Sequence, residues 1–313
     1  MLNKGPFEFV SSFYSVFLSE TLLYIKKILS YTCLWILGYL CLCCLVYRKY
    51  ARRLPTRIRG SLGAKRVLVV IAHPDDECMF FGPTIFRLCE QGTEVYLLCL
   101  SNGNYDGKGR ERSQELWDAC RELRVPDSNI YLINDTRLQD SPKVQWPIPV
   151  IAQLIQHHIE SLDVDTLVTF DRGGVSSHPN HSAVFYAVAY MFVENMMPTK
   201  CKLYTLDSVN ILRKYFGFLD LPLSFLLSSK RYFLRWTESR RIVRAMKRHK
   251  SQMVWFRHLY VMFSRYIVIN TLRKKRLVNV CRYTSSSHRV DNYRNVWTSA
   301  YLHDGVSDAA LML

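Results

Sequence analysis

Two short strings in this 313-residue chain hold side chains that can do chemistry. His73-Pro-Asp-Asp-Glu77 sets a histidine beside two adjacent aspartates. Far downstream, His178-Pro-Asn-His181 sets two histidines three positions apart at the start of a helical pattern. Imidazole and carboxylate are metal ligands, and three protein ligands with an open position are what a catalytic zinc requires. A metal so held polarises a carbonyl and makes water a nucleophile near neutral pH. A second carboxylate next to the ligand can take the proton as general base. Either string alone has a plain reading, a turn for the first and two surface or capping histidines for the second. The case for a site rests on where the surrounding elements put them.

From Arg66 the pattern alternates strands and helices. Val67–Ala72 is a continuous β-branched run, as expected of a buried parallel strand. A helical pattern runs from Met79 to Gln91 and stops at Gly92, and Glu94–Leu100 is the next strand. Asn102 to Gly107 reads as a loop and Arg110–Leu123 as an amphipathic helix. Strands follow at Ile130–Ile133, Thr166–Phe170 and Leu203–Val209, with helices at Pro147–Leu162 and His181–Val193. This alternation implies an α/β fold, a Rossmann-like and mostly parallel sheet with helices on both faces. Such sheets bind ligands beyond the carboxyl ends of their strands. His73 follows the first strand, Ser101–Asn104 the second, and Asp171–His181 the fourth.

Charge divides the chain. Residues 1–66 carry a net +9, residues 67–212 a net −8, and residues 213–294 a net +17. An acidic chemical centre between basic flanks argues against a nucleic-acid enzyme, which would gather positive charge around its site. Ile28 to Tyr47 is a run of twenty residues without a charge, long enough to cross a hydrocarbon core. Arg48, Lys49, Arg52, Arg53, Arg57 and Arg59 follow it, against Lys26 and Lys27 before it. That excess places everything after the run in the cytoplasm. The sequons Asn134-Asp-Thr and Asn180-His-Ser agree, because a glycan on the second would block the histidine motif. The cysteines outside the apolar run are scattered through expected core elements, as reduced thiols would be.

The expected organisation is an N-terminal segment (1–27) with an interfacial helix over 7–25, an anchor (28–47), and a basic linker (48–65). The α/β core (66–212), a basic aromatic-rich part (213–276) and a tail of unassigned role (277–313) follow. In the basic part, Arg240–Arg276 interleaves Lys/Arg with Trp255, Phe256, Tyr260, Phe263 and Tyr266. Such a pattern can bind nucleic acid, lie on a membrane, or simply pack on the sheet. With an anchor in the same chain, a bilayer with anionic headgroups is the expected partner and nucleic acid is not.

The string Val70-Ile-Ala-His-Pro-Asp-Asp-Glu-Cys-Met-Phe-Phe-Gly-Pro-Thr84 resembles the N-acetylglucosaminyl-phosphatidylinositol de-N-acetylases, the eukaryotic branch of the LmbE-like sugar deacetylases. The resemblance continues at Leu97–Tyr105, Arg112-x-x-Glu115, Phe170–His178, Ser251–Arg257 and Phe263–Tyr266, and covers roughly residues 66 to 276. It implies a Zn2+ site, though another divalent metal could serve, made by His73, Asp76 and His181. It implies Asp75 as general base, and His178 as the group that stabilises the oxyanion or helps protonate the leaving amine. It implies substrate contact at Arg112 and Asn104, with Glu115 orienting Arg112 from one helical turn away. Glu77 and Asp171 are implied as supports of histidines or loops, with helix N-terminal capping an open alternative for Glu77. Asn180 stands where many bacterial members have Asp; an amide holds a histidine but stabilises an imidazolium less well, which bears on the charge of His178.

The implied reaction removes the N-acetyl group of a glycolipid on the cytoplasmic face of the endoplasmic reticulum. The same chemistry on another N-acetyl sugar, a silent lipid-binding adaptor, and membrane-tethered nucleic-acid binding are the alternatives.

Overall fold

The computed structural model describes residues 6–52, 62–141 and 143–275. The middle of the expected basic linker and the expected tail (277–313) lie outside the described residues. The chain divides into two units, one N-terminal and one from Thr56 onward.

The N-terminal unit is one helix, α1 (Pro6–Arg52), of 47 residues. At 1.5 Å per residue it is about 70 Å long. The expected separate helix over 7–25 is instead the first part of α1, since no glycine or proline interrupts the chain between Pro6 and Gly38. Phe13–Arg52 is long and apolar enough to cross a membrane, and its side chains are largely exposed. The charge-free run of twenty residues inside it matches a hydrocarbon core of about 30 Å.

The second unit is built on a seven-stranded sheet in the order β3-β2-β1-β4-β5-β7-β6. β1 (Arg66–Ile71), β2 (Glu94–Cys99), β3 (Ile130–Leu132), β4 (Thr166–Phe170) and β5 (Lys202–Leu206) are parallel. Their apolar runs are buried on both faces, as the continuous hydrophobic pattern requires. Val67, Val69 and Ile71 join one core layer, and Leu68 and Val70 the other, because successive side chains in a strand alternate faces.

Among the helices, the expected one over Met79–Gln91 is α3 (Gly82–Glu90), preceded by a separate short turn, α2 (Asp76–Met79). Pro83 allows α3 to start but not α2 to continue, since it lacks the N–H a helix interior needs. α4 (Gly109–Glu122) and α5 (Ile148–Ser161) follow as the amphipathic patterns indicate. After β4 comes one irregular turn, α6 (Gly174–Ser177), and then α7 (Pro179–Val193).

The basic part is divided among several elements. It forms α8 (Ile211–Tyr215), α9 (Leu221–Leu227), β6 (Lys230–Phe233), α10 (Trp236–Met246), α11 (Trp255–Phe263) and β7 (Ile269–Lys275). β7 pairs antiparallel with β5 and β6, extending the sheet at that edge. Asn270 ties this extension to the first helix pair: its side chain accepts from Thr84 and donates to Phe80 O.

Because β1 lies between β2 and β4, the connections leave it in opposite directions. This switch point opens a crevice beyond the carboxyl ends of β1 and β4, where ligands bind in such sheets. The loop with His73 and the segment with His178 and His181 both emerge there.

Candidate active site

The loop after β1 folds around Asp76. Its Oδ2 accepts from the backbone N–H of Ala72 (3.0 Å) and of His73 (2.9 Å), which leaves Oδ1 pointing away. Oδ1 stands 3.2 Å from His181 Nε2. His181, in the first turn of α7, stacks on Phe170 with ring centroids 4.1 Å apart. Its Nδ1 lies 3.1 Å from Gly174 O, an acceptor only, so Nδ1 carries the proton and Nε2 the lone pair. Nε2 is buried without a hydrogen-bond partner and faces a buried carboxylate oxygen. Two lone pairs that close need a cation between them, a second proton or a metal ion. Ligands at about 2.0–2.1 Å on a tetrahedral ion are separated by about this distance.

Asp76 makes no ion pair with Lys or Arg among the described residues. Burial alone would raise its carboxyl, but His181, His73 and the His73 backbone N–H outweigh this and hold it well below the usual carboxylate range. The arrangement fits a bound divalent metal on Asp76 and His181.

His73 supplies a third donor. Its Nε2 is 3.1 Å from Asp140 Oδ1, so the carboxylate fixes the proton there and leaves the Nδ1 lone pair, 3.8 Å from Asp76 Oδ2. The amide of Asn180 also lies 3.0 Å from His73 Nε2. Asn180 therefore positions His73 rather than His178, and the departure from Asp bears on His73. The rings of His73 and His178 are 5.0 Å apart, and those of His178 and His181 4.6 Å. Nitrogens of all three histidines lie within 4.8 Å of one another, so His178 closes the cluster as a fourth candidate donor. It is only half-buried, and its Nδ1 has no partner. Burial and the neighbouring His181 and His73 push it down to about 4.

Asp75 sits between guanidiniums. Oδ2 accepts from Arg257 Nη1 at 2.7 Å, and Arg112 Nη2 is 3.7 Å away. Its backbone is in the left-handed region, φ 114°, which costs a non-glycine residue roughly 1–3 kcal/mol. That conformation is held by Glu77, whose Oε2 accepts from the Asp75 N–H at 3.0 Å while Oε1 takes His249 Nε2 at 2.6 Å. Both readings of Glu77 thus apply, since it caps the start of α2 and holds a buried histidine. The Arg257→Met variant should lower kcat about tenfold to a hundredfold with little change in KM, and Arg257→Lys should recover part of it, because a positioned proton acceptor contributes to the transition state. Steady-state kinetics of both variants check this.

Arg112 has little left to offer a substrate. Nη1 donates to Gly103 O (3.0 Å) and Asp140 (2.9 Å), and Nη2 to Pro74 O (2.7 Å). It clamps the loops after β1 and β2 to the carboxylate that orients His73. Glu115 does not orient it; Glu115 accepts from Ser251 N and Oγ at 2.7 and 2.6 Å, anchoring the segment before α11. Asn104 is exposed, and its Oδ1 takes the Gly109 N–H at 2.8 Å, starting α4. It also lines, with Asn102, Asn134, Gln139 and Asp140, a polar groove of about 490 Å³. Asp171 holds loops, taking Gly173 N (3.0 Å), Ser208 N (2.8 Å) and Ser208 Oγ (2.5 Å). At Gly103 (φ +69°) a Cβ would stand 2.4 Å from Arg112 Cζ. Gly103→Ala should therefore displace the clamp and cost about 1–3 kcal/mol, read as a lowered Tm.

Asp140, His249 and Arg257 are site residues that motif reading does not single out. Asp140 lies in a loop with no recognisable spacing, Arg257 ends the Ser251–Arg257 string of the later resemblance, and His249 lies just before that string. Only the packing of the C-terminal part against the β1 loop brings them in.

Comparison with known proteins gives the family. The family profile described as PIG-L, GlcNAc-PI de-N-acetylase, matches residues 68–192. The chain is 45% identical over 211 residues to the N-acetylglucosaminyl-phosphatidylinositol de-N-acetylase of Bos taurus, covering 67% of this chain and 83% of that protein. It is 36% identical to a probable enzyme of the same name from Dictyostelium discoideum, covering 68% of this chain and 94% of that one. Among solved structures it is similar to an N,N'-diacetylchitobiose deacetylase from Pyrococcus horikoshii (17% identity, TM-score 0.48, 71% of this chain and 87% of that one). With 45% identity to a relative of which it covers 83%, the chain belongs to the GlcNAc-PI de-N-acetylase family.

Proposed function

We propose that this chain hydrolyses the N-acetyl group of N-acetylglucosaminyl-phosphatidylinositol, giving glucosaminyl-phosphatidylinositol and acetate, an early step in GPI-anchor biosynthesis. The observation that carries the chemistry is the buried Asp76–His181 pair, with His73 beside it and Asp75 next in the chain. The substrate is taken from the named relatives.

His73, Asp76 and His181 would hold the metal, zinc in this reading, which polarises the acetyl carbonyl and acidifies water when bound. Asp75 takes a proton from the attacking water as the new C–O bond forms, with Arg257 and Glu77 keeping its carboxylate and backbone in place. His178, whose Nδ1 has no protein partner, donates an N–H to the oxyanion that develops on the acetyl oxygen. The C–N bond then breaks, acetate leaves, and the proton held by Asp75 passes to the departing amine.

In this reading α1 is a single-pass anchor in the endoplasmic reticulum membrane, and the second unit is cytoplasmic. The basic flank after residue 47 supports that orientation, as does Asn180, which is buried against His73.

Acetate release from the glycolipid by detergent-solubilised full-length protein tests the proposal. Activity lost to a chelator and restored by zinc is the expected outcome. A folded, metal-loaded protein that releases acetate from other N-acetyl sugars but not from the glycolipid would overturn the substrate assignment.

A further inference from the structure

The second unit leaves a large apolar surface uncovered. It lies on α8, α9 and α11, where Leu226 is 81% exposed, Trp255 74%, Ile211 71% and Met262 70%. α8 and α11 are neighbours, and the turn that leads into α9 meets the end of α11. α8 packs on α11, the Tyr215 and Tyr260 rings meet edge to face, and Gly217 lies so close to the end of α11 that a Cβ would be 3.0 Å from Phe263 O. Soluble monomers rarely expose contiguous apolar patches of more than a few hundred Å².

α11 has two faces. Inward, Tyr260 donates to Met79 O at 2.8 Å and Arg257 holds Asp75. Outward, it presents Trp255, Phe256, Leu259 and Met262. The segment that carries the patch has charge of nearly one sign. Residues 213–275 hold sixteen Lys/Arg and two acidic residues. Both acids are buried, Asp220 against Arg213 and Arg265, and Glu238 against Arg87 and Arg235. The segment therefore shows an apolar face, carries a net positive charge and exposes no acid of its own.

We propose that the outer faces of α9 and α11 insert into the headgroup region of an anionic bilayer, so that the catalytic unit is itself a monotopic, interfacial domain. Exposed aromatics and aliphatics on a segment of net positive charge that exposes no acid of its own suit such a surface: the apolar side chains enter the acyl boundary while the segment's Lys and Arg are drawn to phosphates. The N-terminal helix, in the same chain, supplies the bilayer at high effective concentration. The proposal rests on the glycolipid reading for one consequence. The helix that enters the leaflet holding the substrate also carries Arg257 to Asp75, so docking and base positioning share one element.

The test uses full-length protein in vesicles containing anionic phospholipid brominated in the acyl chains. Bromine quenches tryptophan within the bilayer, so Trp255→Phe should remove part of the quenchable emission, while Trp117→Phe on α4 should not. This readout needs no catalysis, so it stands even if the substrate assignment fails. Quenchable emission unchanged by Trp255→Phe would overturn the proposal. So would a Trp255 shielded from aqueous iodide but not reached by bromolipid, which would assign the face to a protein partner. In a second arm, the triple variant Leu226→Glu, Trp255→Glu, Met262→Glu should lose about tenfold or more in kcat/KM on glycolipid in vesicles. Its hydrolysis of the water-soluble deacylated headgroup should stay within about twofold of the parent. Equal activity of variant and parent on the vesicle substrate would also overturn it.

Discussion

His181→Ala should yield a folded protein that no longer retains metal and has lost at least about a thousandfold in kcat/KM, roughly 4 kcal/mol of transition-state stabilisation. His181 Nε2 and Asp76 Oδ1 are 3.2 Å apart in a buried site, and the imidazole proton is committed to Gly174 O. Removing the imidazole leaves the carboxylate with only its backbone donors and His73, too few ligands for a tightly held ion. Metal content per chain, measured beside activity, reads this directly. His178→Ala is the companion variant: it should keep its metal and lose about a hundredfold in kcat, because it removes an oxyanion donor rather than a ligand. If instead His178→Ala and His181→Ala both lost the metal and Asp76→Asn kept it, the three-histidine grouping would be the ligand set and Asp76 would be displaced from it.

Asp75→Asn should lower kcat by about two to four orders of magnitude while metal content and Tm stay near those of the parent. Asparagine suits the test better than alanine for two reasons. Its amide oxygen can still accept from Arg257, and asparagine tolerates a positive φ better than most residues, which matters at φ 114°. What it loses is the ability to take a proton. Steady-state rates with single-turnover acetate release distinguish a lost base from slowed product release. A variant within tenfold of the parent would move the base elsewhere, with Asp140, 3.1 Å from His73, the next carboxylate to examine.

Much of the molecule could be read from the chain. The parallel strands were visible because each is an uninterrupted apolar run, and β1 through β5 occur where those runs are. The break between α2 and α3 was less visible, since one hydrophobic pattern continues across it and only Pro83 marks the stop. The single long α1 was hidden in the opposite way: Glu20, Lys26 and Lys27 interrupt the apolar composition without interrupting the helix, because charge does not break a backbone hydrogen-bond ladder. The strands β6 and β7 were missed because Lys, Arg and Asn interrupt their apolar residues, so neither shows the continuous apolar signature of the parallel strands.

Local sequence by itself determined the β1 loop, with Asp76 accepting the N–H groups of Ala72 and His73, and the placing of both motifs at the carboxyl ends of strands; that β1 and β4 are neighbours came from the sheet order. A five-residue string encodes the loop because its hydrogen bonds close within it. Only the tertiary structure decided which partner each of the other polar groups would take. Glu115 binds Ser251 and not Arg112, Asn180 turns to His73, Arg112 is spent on Gly103, Pro74 and Asp140, and Arg257 and His249 arrive from far along the chain. A buried donor or acceptor must be paired, but the chain close by offers several candidates for each. The choice is made when the C-terminal elements pack against the sheet and leave only one within reach.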